Sequence, residues 1–126
     1  MAEAPKKITY HKADSELELV WTDGVSHRLS AEFLRVHSPS AEVRGHGVGQ
    51  EVLQVGKRQV AIKGLEPVGR YALKIVFDDG HDSGLFDWAY LRQLGDEHSV
   101  FWQTYLDKLA AAGESREPKF IQAKQL

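Results

Sequence analysis

Alternating apolar and polar positions predict β-strands in two well-separated parts of the chain. Residues 17–21 place leucine, leucine and tryptophan at every second position, and residues 71–77 do the same with tyrosine, leucine, isoleucine and phenylalanine. Side chains at alternate positions of a strand share one face, so both segments are predicted to be strands with a buried side. Shorter patterns at residues 8–10 and 60–62 predict two more strands. We expect the strand at residues 71–77 to lie centrally in a sheet.

An aspartate–glycine pair follows each of the longer strands, at residues 23–24 and 79–80. Both pairs predict hairpins, because these residues tolerate the positive φ angles at the centre of a type I′ turn. The return strands should cover residues 25–29 and resume near residues 85–86. Each unit then leads into a helical pattern. The two units therefore resemble each other, and two explanations remain open. Either any hairpin that is followed by a helix shows this pattern, or the two units pair to frame one site between them.

Polar capping residues mark the predicted helices. Ser30 is placed to cap a short helix that Pro39 stops, while Asp87 and Asp96 are placed to cap two helices near the C-terminus. Gly113 is a natural end for the second of these helices. The apolar stripe of that last helix consists of Phe101, Trp102, Tyr105, Leu106 and Leu109. Together these elements predict an α+β fold, in which C-terminal helices pack on a small, largely antiparallel sheet.

The length of 126 residues suits a single domain. We expect residues 1–7 to be a flexible leader and residues 8–113 to form the domain. Residues 114–126 are polar apart from one apolar pair, and we interpret them as a tail that is either mobile or strapped over the core.

Composition excludes several classes of function. The chain has no cysteine, so it forms no disulfide, thiolate zinc site, cysteine-ligated iron–sulfur cluster or cysteine nucleophile of its own. Its net charge of −2 gives no electrostatic case for a nucleic-acid partner. No segment approaches the ~20 apolar residues of a membrane span, and none resembles a signal peptide. We therefore expect a cytoplasmic protein with neither a membrane nor a nucleic-acid partner.

No complete catalytic signature is present. An iron(II) oxygenase of the 2-oxoglutarate type usually carries His-x-Asp or His-x-Glu, but none of the six histidines has an acid two residues later. Gly45, Gly47 and Gly49 invite a dinucleotide-binding interpretation, but residue 50 is Gln50 rather than the required glycine. A flexible loop over residues 39–50 accounts for these glycines. Serine, histidine and aspartate all occur, as a hydrolase triad needs, but without a G-x-S-x-G elbow.

A dense polar cluster follows the strand at residues 71–77; it consists of Asp78, Asp79, His81, Asp82 and Ser83. One interpretation is the solvated tip of a hairpin. The other is a corner that binds a ligand or metal, where these groups converge with His37 or His46 from the glycine loop.

The order of the motifs resembles the N-terminal domain of gamma-butyrobetaine hydroxylase-like proteins. The shared motifs are Trp-x-Asp-Gly at residues 21–24, Leu-Arg at residues 34–35, a polar turn at residues 38–43 and Asp-Gly-His at residues 79–81. The resemblance spans residues 8–94, and the Ser-Pro-Ser-Ala-Glu-Val turn is most similar to short, stand-alone bacterial members. It implies the fold and an accessory domain that does not itself perform the oxygenase reaction.

The resemblance also implies a zinc position. In the hydroxylases three cysteines and the histidine of Asp-Gly-His hold a structural zinc, and these positions fall on Ser38, Ser40, Val43 and His81. Serine is a poor zinc ligand beside a thiolate and valine is none, so we expect no tight zinc site and no resident cofactor. Weak binding of a divalent metal through His81 is the remaining alternative. The His81 ring should still lie within ~5 Å of the turn, because the two share a metal in relatives.

A similar domain is fused to Mrp-type iron–sulfur carrier ATPases of plastids, which implies a role near metal or cofactor handling. We therefore expect a non-enzymatic accessory or interaction domain with an unidentified protein partner. The alternative is a metal- or small-ligand-binding protein that uses His81 with residues 37–46. The expected ligand or partner surface comprises Ser38, Ser40, Glu42, His46, Asp79, His81 and Ser83.

Overall fold

The computed structural model describes residues 3–45, 47 and 49–119, and it has the predicted α+β architecture. The strands are β1 (Lys7–His11), β2 (Glu16–Val20), β3 (Ser26–Ser30), β4 (Ile62–Val68), β5 (Ala72–Phe77) and β6 (Leu85–Asp87). The helices are α1 (Ala31–Val36), α2 (Ala41–Arg44), α3 (Trp88–Asp96) and α4 (His98–Ala112). Within the described residues, no helix has both the length and the apolar character that crossing a membrane requires.

The antiparallel strands are divided between two three-stranded sheets, whereas the sequence pattern predicted one sheet. Their strand orders are β1-β2-β3 and β4-β5-β6, so each sheet is a pair of consecutive hairpins. β5 is central in the second sheet, as expected. Residues 31–61, which include α1 and α2, separate the two sheets along the chain.

The glycine of each predicted hairpin pair adopts a positive φ angle, 88° at Gly24 and 91° at Gly80, but Asp23 and Asp79 do not. The predicted type I′ turns are therefore wrong, because that turn needs positive φ at both central residues. In the second hairpin, the Phe77 N–H donates to the His81 carbonyl oxygen at 2.9 Å. His81 is therefore held directly beside the end of the buried strand β5.

The helix caps agree with the sequence at three of the four predicted positions. The side chains of Ser30 and Asp87 each accept a hydrogen bond from the backbone N–H three residues later. Gly113 ends α4 in the left-handed conformation. The predicted cap at Asp96 is wrong, because its carboxylate contacts His27 Nε2 at 3.0 Å and Arg92 Nε at 2.9 Å instead.

Helix α2 lies inside the segment that was predicted to be a loop. Its cap is Ser40, whose Oγ accepts a hydrogen bond from the Glu42 N–H at 3.2 Å. Gly45 follows it with a φ of 73°, and a Cβ there would lie 2.0 Å from the Gln50 carbonyl oxygen. The glycine therefore lets the chain turn back sharply after a single helical turn.

One apolar core is shared by the two sheets, α1 and α3. Its fully buried side chains include Leu17, Leu29, Phe33, Phe77, Phe86 and Leu91.

The segment after α4 is attached to this body as a strap. The Gly56 N–H donates to the Ser115 carbonyl oxygen at 2.9 Å. Arg116 donates two hydrogen bonds, of 2.7 and 2.8 Å, to the buried carboxylate of Glu32. These contacts favour the strap over the mobile tail for residues 114–119, while residues 120–126 lie outside the described residues.

Candidate functional site

The turn after α1 and the hairpin tip after β5 meet at one corner of the molecule. Ser38 Oγ lies 2.8 Å from His81 Nε2, and His81 Nδ1 lies 2.8 Å from Glu42 Oε2. The prediction that the His81 ring lies within ~5 Å of the turn is therefore confirmed. We call these three residues, together with Ser40 and Ser83, the serine–histidine corner.

The hydrogen-bond partners of His81 define its tautomer. A carboxylate only accepts hydrogen bonds, so Nδ1 donates to Glu42, and in the neutral ring Nε2 accepts from the Ser38 hydroxyl. Ser38 is 1% exposed and His81 is 5% exposed, whereas the Glu42 side chain is 68% exposed. The hydrogen-bonded chain thus runs from the protein interior to the surface.

Two further contacts close the corner. The Ser40 N–H donates to Ser38 Oγ at 3.3 Å, and the Ser40 and Ser83 hydroxyls lie 2.6 Å apart. Among the residues that the structure describes, no buried side-chain nitrogen or oxygen lacks a hydrogen-bond partner. The corner is therefore a fully satisfied polar network, which is the arrangement in which buried polar groups stabilise a fold.

Gly84 permits the close approach of the two segments. A Cβ at this position would lie 2.3 Å from Ser38 Oγ and 3.4 Å from Pro39 Cδ. Any side chain would displace the Ser38 hydroxyl and disturb its hydrogen bond to His81.

Asp79, which the sequence placed on the partner surface, is the centre of an ion-pair cluster. Its Oδ2 lies 2.9 Å from both Arg35 Nε and Lys57 Nζ, and its Oδ1 accepts from the His81 N–H at 3.1 Å. Burial raises the pKa of Asp79, but the hydrogen bonds from Lys57, the His81 backbone and Arg35 outweigh it and lower that pKa to about 2. The carboxylate therefore anchors the backbone of His81 as an anion.

Arg35 is the site residue that the sequence reasoning missed. It is 6% exposed, and its guanidinium also donates to Gln54 Oε1 at 2.9 Å. A signal for it exists in the sequence, because Arg35 is a basic residue in the last turn of a helix whose other positions are mainly apolar. A buried arginine needs a carboxylate partner, and the acidic hairpin tip supplies one.

Of the two histidines of the glycine loop, only His37 is among the described residues, and it does not contribute to the corner. His46 lies outside the described residues. His37 Nδ1 donates to the Phe33 carbonyl oxygen at 2.8 Å, and its ring centroid lies 4.6 Å from that of Phe33. Burial lowers the pKa of His37, which favours a neutral ring.

A cavity of about 470 Å³ lies beside the corner, between the end of α1, the turn, residues 51–54 and α4. Two tyrosine hydroxyls connect the segments that line it. Tyr90 donates a hydrogen bond to the His37 carbonyl oxygen at 2.6 Å, and Tyr105 donates one to the Gln54 carbonyl oxygen at 2.7 Å. The apolar lining consists of Val36, Val43, Val52, Leu53, Val100 and Phe101.

The corner does not fit the zinc that the family resemblance implies. Val43 has no ligating atom and is 7% exposed, and both ring nitrogens of His81 already have hydrogen-bond partners. Within the described parts of the chain, no three acidic or histidine side chains are grouped as a metal site requires. At the positions to which the resemblance assigns metal ligands, Ser38 and His81 are instead hydrogen-bonded to each other.

Ser38, His81 and Glu42 have the connectivity of a hydrolase triad. A nucleophilic serine must also reach a substrate carbonyl. Ser38 contributes to the cavity wall, but it is 1% exposed and its oxygen is enclosed by His81, Ser40 and Gly84. The geometry therefore favours a structural role over a catalytic one.

Two solved structures share this fold over nearly the whole chain, and a third shares it over 72% of the chain. One solution NMR structure is 51% identical in sequence, with 100% of this chain and 99% of that chain covered and a TM-score of 0.83. A second NMR structure is 42% identical, with coverages of 99% and 93% and a TM-score of 0.79. A crystal structure of a protein of unknown function from the DUF971 family of Acidithiobacillus ferrooxidans ATCC 23270 is 36% identical, with coverages of 72% and 91% and a TM-score of 0.61.

No curated protein is significantly similar to this chain in sequence. The sequence profile described as "Gamma-butyrobetaine hydroxylase-like, N-terminal" matches residues 8–92, which include every described residue of the serine–histidine corner. The chain belongs to the gamma-butyrobetaine hydroxylase-like N-terminal domain family.

Proposed function

We propose that this chain is a non-enzymatic accessory domain that acts by binding a protein partner. The observation that carries the proposal is the closed hydrogen-bond chain from Ser38 through His81 to Glu42. The Ser38 hydroxyl is buried and enclosed by His81, Ser40 and Gly84, so it does not reach a substrate carbonyl, and both ring nitrogens of His81 are engaged. Binding a protein partner requires neither residue to be free.

The exposed end of the corner supports a binding surface there. The Glu42 side chain is 68% exposed although its carboxylate is held by His81, and the exposed Ser83 is held by Ser40. Side chains that are already ordered lose little conformational entropy when a partner binds. On this proposal Glu42 and Ser83 contact the partner, and the rest of the corner supports them from beneath.

We further propose that the partner takes part in handling metal or iron–sulfur cofactors. This step rests on the similarity to the domain that is fused to Mrp-type carrier ATPases, and it is an argument by analogy. The alternative function, a metal site at His81, has less support because both ring nitrogens are engaged.

Photo-crosslinking in the native cell tests the partner proposal. A photoreactive residue replaces Ser83 in one variant and Lys63, an exposed residue of β4, in the control. We expect a protein that crosslinks through position 83 and not through position 63. Glu42→Lys in the same background should reduce its yield several-fold, because it reverses the charge of the proposed contact. No product at position 83, or equal products at both positions, would argue against this surface.

Two reactions test the non-enzymatic part. The purified chain should not react with a fluorophosphonate probe at Ser38, because that hydroxyl is buried and hydrogen-bonded. It should also form no succinate from 2-oxoglutarate in the presence of iron(II). Labelling that Ser38→Ala abolishes, or iron-dependent succinate above a no-protein control, would contradict the proposal.

A further inference from the structure

Arg116 of the strap contacts both a buried carboxylate and an aromatic ring. Its Nε and Nη2 atoms donate to the two carboxylate oxygens of Glu32 at 2.8 and 2.7 Å, and its guanidinium carbon lies 4.9 Å from the centroid of the Trp102 ring. A forked pair with a carboxylate combined with a contact to an aromatic face suits the planar guanidinium group. A lysine ammonium is a point charge and does not reproduce the forked pair. The contacts of this side chain therefore select arginine over lysine.

The main chain of the strap supplies the other principal contacts. The N–H groups of Gly56 and Arg58 donate to the carbonyl oxygens of Ser115 and Arg116, at 2.9 and 3.0 Å. Every polypeptide presents such carbonyl oxygens, so these hydrogen bonds do not select a sequence. The side chains of Arg58 and Glu117 also form an ion pair, but both are 53% exposed, and an exposed pair contributes little. Arg116 is therefore the strap residue that determines recognition.

The strap has little apolar surface with which to hold itself in place. Its half-buried residues are Glu114, Arg116 and Pro118, and the residues between them are exposed. This alternation is typical of an extended segment that lies with one side against the protein. Pro118 is the one apolar residue on that side, so burial of apolar side chains contributes little to the attachment of the strap.

The surface that receives Arg116 is held in place by the core of the domain. Glu32 is part of α1, in which every residue is buried. The Trp102 ring packs against Phe33 and Tyr105, at centroid distances of 6.2 and 5.5 Å. A surface that is already ordered loses little conformational entropy on binding, and a buried carboxylate without a cation is costly. We call this surface the strap site; it consists of Glu32, Trp102 and the N–H groups of Gly56 and Arg58.

We propose that the strap site is a receptor for an arginine in an extended segment of another polypeptide, and that the strap occupies it until such a segment takes its place. The incoming arginine pairs with Glu32 and lies against Trp102, while the carbonyl oxygens beside it accept the two backbone hydrogen bonds. The strap is thus an autoinhibitory ligand, because its covalent link to α4 through Gly113 gives it a high effective concentration.

This competition makes the site selective. A weakly binding arginine peptide does not displace the strap, whereas a partner that makes additional contacts elsewhere on the domain does. The strap site shares no residue with the serine–histidine corner, and the proposal does not depend on the partner surface proposed there.

Titration of the ¹⁵N-labelled full chain with three blocked peptides tests the proposal. The first has the sequence of residues 113–119, the second has lysine in place of its arginine, and the third has one arginine flanked only by glycine and serine. In Arg116→Ala, we expect the first peptide to shift the Trp102 indole resonance with a dissociation constant on the order of 0.1–1 mM. The lysine peptide should bind about tenfold more weakly, because it loses the forked pair. The glycine–serine peptide should bind within about fivefold of the first, because the backbone contacts do not select a sequence.

Two further variants serve as controls. Arg28→Ala removes an arginine of β3 that pairs with acidic side chains elsewhere, so its strap site stays occupied and its peptide affinity should equal that of the unmodified protein. Adding Glu32→Gln to Arg116→Ala removes the charge of the receptor, and this double variant should bind the arginine and lysine peptides equally.

In the unmodified protein, the first peptide at about 10 mM should displace the strap, since short links give millimolar effective concentrations. The amide resonances of Glu117 and Lys119 should then move toward their positions in the free peptide, while those of Gly56 and Arg58 change little. This measurement decides the matter if Arg116→Ala does not fold. No binding of the first peptide to the strap site, equal binding of the arginine and lysine peptides to Arg116→Ala, no binding of the glycine–serine peptide, or strap resonances that do not move would overturn the proposal.

Discussion

Ser38 Oγ and His81 Nε2 lie 2.8 Å apart although 43 positions separate the two residues in the chain. Their contact connects two segments of the chain. One is the turn after α1, and the other is the tip of the connection between β5 and β6. The family resemblance implies that a metal joins the same two segments in the hydroxylases. In this chain a serine–histidine–glutamate series of hydrogen bonds makes that connection.

Removing the His81 imidazole should destabilise the domain. His81→Ala leaves the buried Ser38 hydroxyl without its partner and opens space in the corner, so we expect the free energy of unfolding to fall by about 2–4 kcal/mol. Asp82→Ala changes the exposed neighbouring residue and should have an effect of at most about 0.5 kcal/mol. Urea unfolding measures both values. Equally small effects in the two variants would show that the corner does not stabilise the fold.

A methyl group at Gly84 should act on the same contact. Gly84→Ala places a Cβ 2.3 Å from Ser38 Oγ, and we expect a loss of about 1–3 kcal/mol from overpacking. Gly47→Ala is the control, because a Cβ there meets nothing within 4 Å. Adding Ser38→Ala to Gly84→Ala removes the clashing oxygen, so the double variant should lose less than the two single losses combined. Simple additivity in thermal or urea unfolding would contradict the predicted contact.

The ion-pair cluster at Asp79 should make stability depend on acid pH. The pKa of Asp79 falls from the ordinary 3.8 to about 2 in the folded protein, through the hydrogen bonds that outweigh its burial. A depressed folded-state pKa gives stability that is complete above pH 3.8 and is lost as the pH falls toward 2. Because this side chain is partly exposed, we expect Asp79→Asn to cost on the order of 1 kcal/mol at neutral pH.

The difference in free energy of unfolding between the unmodified protein and Asp79→Asn should become smaller as the pH falls from 3.8 toward 2. Urea unfolding at a series of acid pH values measures this difference. A difference that stays constant down to the lowest pH at which both proteins fold would show that the charge of Asp79 is not the source of the stabilisation.

The attachment of the strap to the domain should depend on the ion pair between Glu32 and Arg116. The Glu32 side chain is 6% exposed, so Arg116→Ala leaves a buried carboxylate unpaired and should cost about 2–4 kcal/mol. Adding Glu32→Ala should recover part of that loss in a double-mutant cycle. The ion pair between Arg58 and Glu117 of the strap has both side chains 53% exposed and should contribute at most about 1 kcal/mol. Additive effects of Glu32→Ala and Arg116→Ala would refute the coupling.

The secondary structure was predictable where local signals dominate. The alternation at residues 71–77 and the glycines at positions 24 and 80 predicted strands and turns that the structure contains. The four-residue helix α2 is too short to show a helical period, so the sequence pattern indicated only a loop. Asp96 fits a capping pattern locally, but its tertiary contacts with His27 and Arg92 prevail.

The sequence predicted which segments meet at the candidate site, but not which side chains are buried or paired there. The order of motifs placed His81 beside the turn, which the structure confirms. Burial of Ser38 and the ion pair between Arg35 and Asp79 could not be inferred from spacing, because they depend on how two sheets and α1 pack together. That His37 lines a cavity together with residues of α4 could likewise not be inferred, because α4 begins more than sixty positions further along the chain.

Long-range ¹H–¹⁵N NMR of the His81 ring tests the central claim most directly, that hydrogen bonds to Ser38 and Glu42 occupy the place of a metal. We predict a ring that is protonated at Nδ1 and unprotonated at Nε2, with resonances that do not change when one equivalent of zinc is added and then removed with a chelator. A zinc-dependent shift of Nε2 or Nδ1 that the chelator reverses would show that His81 is a metal ligand and would contradict the account.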